Sequence, residues 1–194
     1  MVRALENKQP ATVADLHAVL VDHLDDLRRR IRTENTDIYR MFWNLDGHGR
    51  LVSPRPEEAC RDDLITLLRQ RLAPLGISLE PEGHMVGDRR ADISAAMPDR
   101  KVLCEIKRDY HPDVWTAPDN QLERFYAHDP EALGFGIYLV FWFGDDRPLD
   151  IPLPPDGQPR PTSAVEMEAM LRAGLPIDRA ARTAIIVIDV TKPD

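Results

Sequence analysis

The 194-residue sequence predicts an α/β domain, a mixed central sheet flanked by helices, with an N-terminal helical arm in front of it. Three observations carry that prediction. Residues Thr12 to Arg32 set apolar side chains at the three- and four-residue spacing of an amphipathic helix. Phe135 to Phe143 and Ala184 to Val190 are short runs apolar on both faces, the pattern of strands covered on both sides. Arg89 to Ala95 and Lys101 to Lys107 are extended segments flanking the turn Met97-Pro98-Asp99-Arg100, which together read as an antiparallel hairpin. The length suits one sizeable core rather than two. The chain is divided into an arm, residues 1–50, and a main domain, residues 51–194.

Each element has a local cause. Thr12 and Asp15 stand as an N-terminal cap for the helix that carries Val13, Leu16, Leu20, Leu24, Leu27 and Ile31. Its basic run, Arg28, Arg29, Arg30 and Arg32, faces Asp22, Asp25 and Asp26 at helical spacings, which predicts a salt-bridged, solvated face ahead of a phosphate-binding one. Tyr39, Phe42 and Trp43, before Asp46-Gly47, are expected to dock this arm onto the core. A second helix after Pro54 and Pro56 buries Cys60, Leu64, Leu67, Leu68 and Leu72 and stops near Pro74 and Gly76. Ile77 to Glu80 is extended, and Pro118 opens a third helix through Gln121, Leu122, Phe125 and Tyr126. Residues 145–162 contain six prolines and are expected to form an exposed loop. Ser163 to Glu166 is a capping box for a fourth helix, closed by Gly174 and Pro176.

Composition narrows the function. There are 33 acidic against 25 basic residues, a formal charge of -8, which argues against a protein that holds nucleic acid by a broad basic face. Local phosphate contacts stay open, since charges act mainly within about 8 Å. No apolar run approaches the roughly 18 residues of a membrane span, and Met1 to Gln9 holds no apolar signal segment. Cys60 and Cys104 each sit in apolar surroundings, as buried reduced thiols do, so a cytoplasmic location is expected.

The chemistry concentrates in RADISAAMPDRKVLCEIK, residues 90–107. If the hairpin turns on Pro98-Asp99, paired positions sum to 197 and Asp92 lies opposite Glu105 on one face. Two carboxylates about 5 Å apart repel by on the order of 3 kcal/mol at an effective dielectric near 20. A covered sheet face does not hold such a pair ionised without a cation. Lys107, two residues after Glu105, shares that face roughly 7 Å along the strand, while Val102, Cys104 and Ile106 form the apolar opposite face. Two readings stand level at this point: an inert salt-bridge cluster, or a divalent-metal site with the lysine serving phosphate or water.

Asp92, twelve intervening residues and then Glu105-Ile106-Lys107, set between an acid-bearing helix and an apolar α/β return, resemble the PD-(D/E)XK nuclease superfamily, whose fold is restriction-endonuclease-like. The resemblance covers about residues 54–143, with Ala184 to Val190 as a further strand. Gln121 is similar to the glutamine of the RecB-like branch; that branch has tyrosine four residues on, where this chain has Phe125 and then Tyr126. Position 91, proline in the family name, is Ala here. The resemblance implies a Mg²⁺- or Mn²⁺-dependent nuclease acting on nucleic acid, DNA ahead of RNA. It implies Asp92, Glu105 and the Ile106 carbonyl as metal ligands and Lys107 as the group that orients water or stabilises developing charge. Gln121, with Arg90 and Tyr126, would contact substrate.

Nucleases of this fold often add a carboxylate from the helix before the sheet, and Glu57 and Glu58 both begin that helix. The stripe of Cys60, Leu64, Leu67, Leu68 and Leu72 centres near Glu57, with Glu58 about 100° away at its margin. Glu57, paired by the site cations or by Arg61 on the next turn, is therefore expected to complete the metal site, with a plain capping role at the helix N-terminus standing level with it, and Glu58 is expected to lie on the surface. The alternative to an enzyme is a catalytically inactive binding or assembly module of the same fold, with the N-terminal helix offering a face to a partner or second copy. His84, His111 and His128 lack ligand spacing, Gly83 to Gly87 is no phosphate loop, and Ser53, Ser94 and Ser163 show no nucleophile elbow.

Overall fold

A computed structural model describes residues 9–34, 36–85, 89–122, 129–155 and 157–193, without the side chains of 82–85 and 89–90. Helix α1, Val13–Thr33, starts on a reciprocal cap: the Asp15 N–H donates to Thr12 Oγ1 at 3.1 Å and the Thr12 N–H to Asp15 Oδ2 at 2.9 Å. Its stripe Leu16, Leu20, Leu24, Leu27 and Ile31 is buried in the main core, and the helix packs on the central sheet. The segment read as an arm thus forms one wall of the core. Its basic run is ion-paired: Arg28 with Asp25 and Glu168, Arg29 with Asp26, Arg30 with Glu34, and Arg32 with Asp189.

A 3-10 turn, Ile38–Phe42, leads into β1, Trp43–Leu45, which pairs antiparallel with β2, Leu51–Pro54. Trp43 Nε1 donates to the Val190 carbonyl at 2.8 Å, fastening this small sheet to the main one. Helix α2, Glu57–Leu72, begins immediately after Pro56 and ends through a 3-10 turn at Gly76, whose φ of +76° is the left-handed conformation glycine adopts without a Cβ clash. Ile65 and Arg61 are buried on this helix, and Leu67 only partly.

The central sheet contains β3 (Ser78–Met85), β4 (Arg89–Met97), β5 (Arg100–Arg108), β6 (Gly136–Trp142) and β7 (Thr183–Asp189), in that spatial order. The first three form an antiparallel meander, and β5, β6 and β7 run parallel. The β4–β5 ladder runs from Met97↔Arg100 to Ile93↔Cys104, the register expected from a Pro98-Asp99 turn. Between β6 and β7 lie α3, Ala164–Ala173, and the single turn α4, Ile177–Ala180. On the open edge of β7 the Val187 N–H donates to Glu168 and Arg172 donates to the Ile185 carbonyl, so side chains of α3 occupy main-chain groups another strand would pair with.

The sheet carries a core on each face. With α1 and α2 lie Cys104, Ile106, Ile137, Leu139, Phe141, Ile186 and Ile188. The other face holds Tyr138, Val140, Trp142, Ile185 and Val187, covered by Val114, Leu122, Met167 and Leu171. Two expectations need correction. Residues Pro118–Leu122 have π-helical rather than α-helical pairing, and residues 123–128, with Phe125 and Tyr126, lie outside the described residues. The proline loop is not uniformly exposed, because Ile151 is fully buried in the second core and the Pro152 carbonyl accepts from Trp115 Nε1 at 2.8 Å. The backbone there bends around an apolar anchor. Cys60 and Cys104 are buried free thiols, and burial pushes Cys60 up to about 12. Among the described residues no helix is long and apolar enough to cross a membrane.

Candidate functional site

Alternation along β5 sends Glu105 and Lys107 to the same face as Tyr138 of the parallel neighbour β6, with which Glu105 is in register. Both are only 4% exposed. Lys107 Nζ lies 2.6 Å from Glu105 Oε1, 2.9 Å from the Ile106 carbonyl and 3.7 Å from Glu57 Oε1. Asp92 reaches the same place from β4. There the Ile106 N–H donates to Asp92 Oδ2 at 2.7 Å, so a side chain serves the main-chain donor just beyond the last ladder pair. Glu57 arrives from the first residue of α2, where a carboxylate is favoured by the helix dipole. The lysine thus meets Glu105 and Glu57 directly, with Asp92 beside them on the Ile106 N–H.

The electrostatics follow from crowding acids in a place poor in water. Burial raises Glu105 to about 7, and the Asp92 charge adds to the rise against Lys107. Burial likewise raises Asp92, opposed by the Ile106 N–H, Lys107 and Arg61. Glu57 is raised by burial, opposed first by Lys107. Burial pulls the Lys107 ammonium down, but Glu105 and Glu57 outweigh it and hold it above its ordinary value. Lys107, with Arg61 acting on Asp92 and Arg108 on Glu57, opposes the rise, yet burial keeps all three carboxyls above their ordinary values.

The expected site residues fall as follows. Glu57, Asp92, Glu105, Ile106 and Lys107 converge. Glu58 is exposed. Gln121 lies in the π-helical turn, which packs on β5, and its Oε1 is buried without a hydrogen-bond partner. The backbone of Arg90 pairs with His84 on β4, but its side chain lies outside the described residues, as does all of Tyr126.

Asp109 escapes sequence reasoning, which names Arg61 only as a partner for Glu57 and sets His111 aside for lack of ligand spacing. Arg61, one turn after Glu57, is buried and favours the Asp92 anion. Its i+4 spacing from Glu57 was the available signal. Asp109 is fully buried, with Oδ2 accepting the Phe143 N–H at 3.0 Å, and burial raises it to about 7. Its place two residues beyond Lys107 was the only hint. His111 is half-buried, its Nδ1 accepting the Asp113 N–H at 3.1 Å, and burial followed by Lys107 lowers its pKa.

Among the described residues no three His, Cys, Asp or Glu side chains are arranged as a ready-made ion cage. The donors nonetheless suit a hard divalent cation: carboxylate and carbonyl oxygens, with Glu57 Oε2 buried and lacking any hydrogen-bond partner. An oxygen left in that state is costly unless a cation or donor meets it.

A family model described as a domain of unknown function (DUF8371) matches residues 16–145, well over half of the 194-residue chain, and the chain belongs to that family. The matched span runs from α1 through β6 and includes Glu57, Asp92, Glu105, Lys107 and Gln121. No curated protein and no solved structure matches.

Proposed function

We propose that this member of the DUF8371 family is a Mg²⁺- or Mn²⁺-dependent nuclease that hydrolyses phosphodiester bonds in nucleic acid, DNA ahead of RNA, on a restriction-endonuclease-like sheet. The observation that carries the reading is the meeting of Glu105 and Glu57 on Lys107 with Asp92 hydrogen-bonded to the Ile106 N–H between them. The antiparallel meander β3-β4-β5 followed by parallel β6, with α2 in front, supports the PD-(D/E)XK resemblance of Asp92 and Glu105-Ile106-Lys107.

Asp92, Glu105, Glu57 and the Ile106 carbonyl would hold the cation. The cation, when bound, supplies a water of lowered pKa and positive charge for a phosphoryl oxygen. Lys107 contributes a mobile point charge with three N–H donors, suited to orienting the attacking water or meeting charge that grows on phosphate oxygens. Gln121, whose amide oxygen is buried without a hydrogen-bond partner, would accept from a substrate-side or water hydrogen. It changes no charge, so it positions rather than neutralises.

A second reading, an inactive module of this fold that binds or assembles, is favoured by the formal charge of -8. Cleavage assays separate the two. Linear, circular and single-stranded DNA and RNA are incubated with Mg²⁺ or Mn²⁺, using wild type, Glu105→Gln and Gln121→Ala. The nuclease reading expects wild-type turnover, none in Glu105→Gln, and reduced turnover with retained metal affinity in Gln121→Ala. Full activity in Glu105→Gln, or no turnover of any substrate, rejects it.

A further inference from the structure

We propose that the Lys107 ammonium is a resident cation that holds the metal position and is exchanged for the divalent ion, so that metal entry releases the lysine toward substrate. This rests on the reading of Glu57, Asp92, Glu105 and Ile106 as the cation site. An ammonium has three donors. Here the oxygens around Nζ are Glu105 Oε1 at 2.6 Å, the Ile106 carbonyl at 2.9 Å and, at longer range, Glu57 Oε1 at 3.7 Å. All three belong to groups assigned to the metal. The contact with the Ile106 carbonyl folds the side chain back on its own strand. In that pose the ammonium faces the ligands.

Charge gives the exchange its direction. Nζ makes two close contacts, to Glu105 and the Ile106 carbonyl, and reaches Glu57 only at 3.7 Å. The ammonium thus meets Glu57 loosely, and Glu57 Oε2 remains without a hydrogen-bond partner. A divalent ion answers both deficits, and once it is bound to those oxygens it repels the ammonium from them. Residue choice points the same way. The chain has 25 Lys+Arg, of which four are lysines (Lys8, Lys101, Lys107 and Lys192), leaving 21 arginines. Most of its ion pairs use arginine, such as Arg28 with Glu168 and Arg71 with Asp26. A planar guanidinium fork is a poor mimic of a small ion among converging oxygens, whereas a compact ammonium on a flexible stem both mimics it and can leave.

With four lysines, limited acylation by an amine-reactive ester, read by peptide mass spectrometry, follows each one in the intact wild-type protein. In EDTA, Lys107 should label slowly. With saturating Mg²⁺ its labelling should rise about fivefold or more, while Lys101, paired with Asp129 and Glu131, should not change. Free Mn²⁺ measured by electron paramagnetic resonance reports cation binding independently. Because coupling is reciprocal, Lys107→Met should bind Mn²⁺ about tenfold more tightly than wild type. If Mn²⁺ binds but Lys107 labelling is unchanged or falls, the exchange is overturned and the cation site stands. Equal or weaker Mn²⁺ binding by folded Lys107→Met also overturns it. If the wild type binds no Mn²⁺, both the exchange and the cation site fail.

Discussion

Neighbouring residues of β5 project to opposite faces of the sheet at almost equal burial, Ile106 at 0% and Lys107 at 4% exposed, yet their surroundings are chemically opposed. Ile106 joins Cys104, Leu139 and Phe141 in an apolar core, and burying such a side chain stabilises the fold by about 1.5–3 kcal/mol. Glu105 and Lys107 are buried as an ion pair beside two further acids, and a buried pair often does no better than the apolar residues that might replace it. Stability alone accounts for the first face and not for the second. The comparison locates the chemistry: a strand end where the fold retains charge in a place that would be steadier without it.

The largest expected effect separates the faces by activity. Glu105→Gln should lower metal-dependent cleavage roughly 10³-fold or more while the protein melts no lower in EDTA than wild type. A parallel loss of melting temperature and activity would make the polar face structural. On the apolar face, Ile106→Ala should cost about 3 kcal/mol in urea unfolding and leave the Mn²⁺ affinity of the folded protein within a few-fold of wild type.

How far these faces were legible in the sequence depends on what set each element. The stripe from Leu16 to Ile31, the runs around β6 and β7, and the two-residue turn at Pro98-Asp99 are local signals, so the helix, the buried strands and the β4–β5 register could be read directly. Helical phase distinguished inward Glu57 from exposed Glu58. Asp109 and Ile151 depend on where distant segments close over them, and no local pattern announces that closure. The four-residue α4 is too short for periodicity to register.

A smaller effect reads the polar face through pH. Glu105 rises in the folded state from 4.5 to about 7, so its contribution to stability is full below 4.5 and is lost as pH climbs through 7. In EDTA the wild type should lose roughly 2–3 kcal/mol of unfolding free energy across that window through this group. Asp109, raised to about 7 by burial, gives a slope of the same sign in both proteins, so the difference between wild type and Glu105→Gln isolates Glu105. Saturating Mg²⁺ should reverse the Glu105 contribution, since the ion binds the anion; urea midpoints at several pH values measure it. Smallest is a change remote from both sheet faces: Thr12→Ala removes the α1 cap and should cost about 1 kcal/mol without altering cleavage of saturating substrate.

The central claim is that the polar end of β5 holds a divalent cation, and a thermal-shift titration with Mn²⁺ tests it most directly. Wild type should gain melting temperature with rising Mn²⁺, approaching the increment of about 2.7 kcal/mol expected at one hundred times Kd. Asp92→Asn and Glu105→Gln should lose most of that gain, while Glu58→Gln, exposed at the start of the same helix as Glu57, should keep it. No Mn²⁺-dependent gain in wild type, or the same gain in all four proteins, would contradict the account.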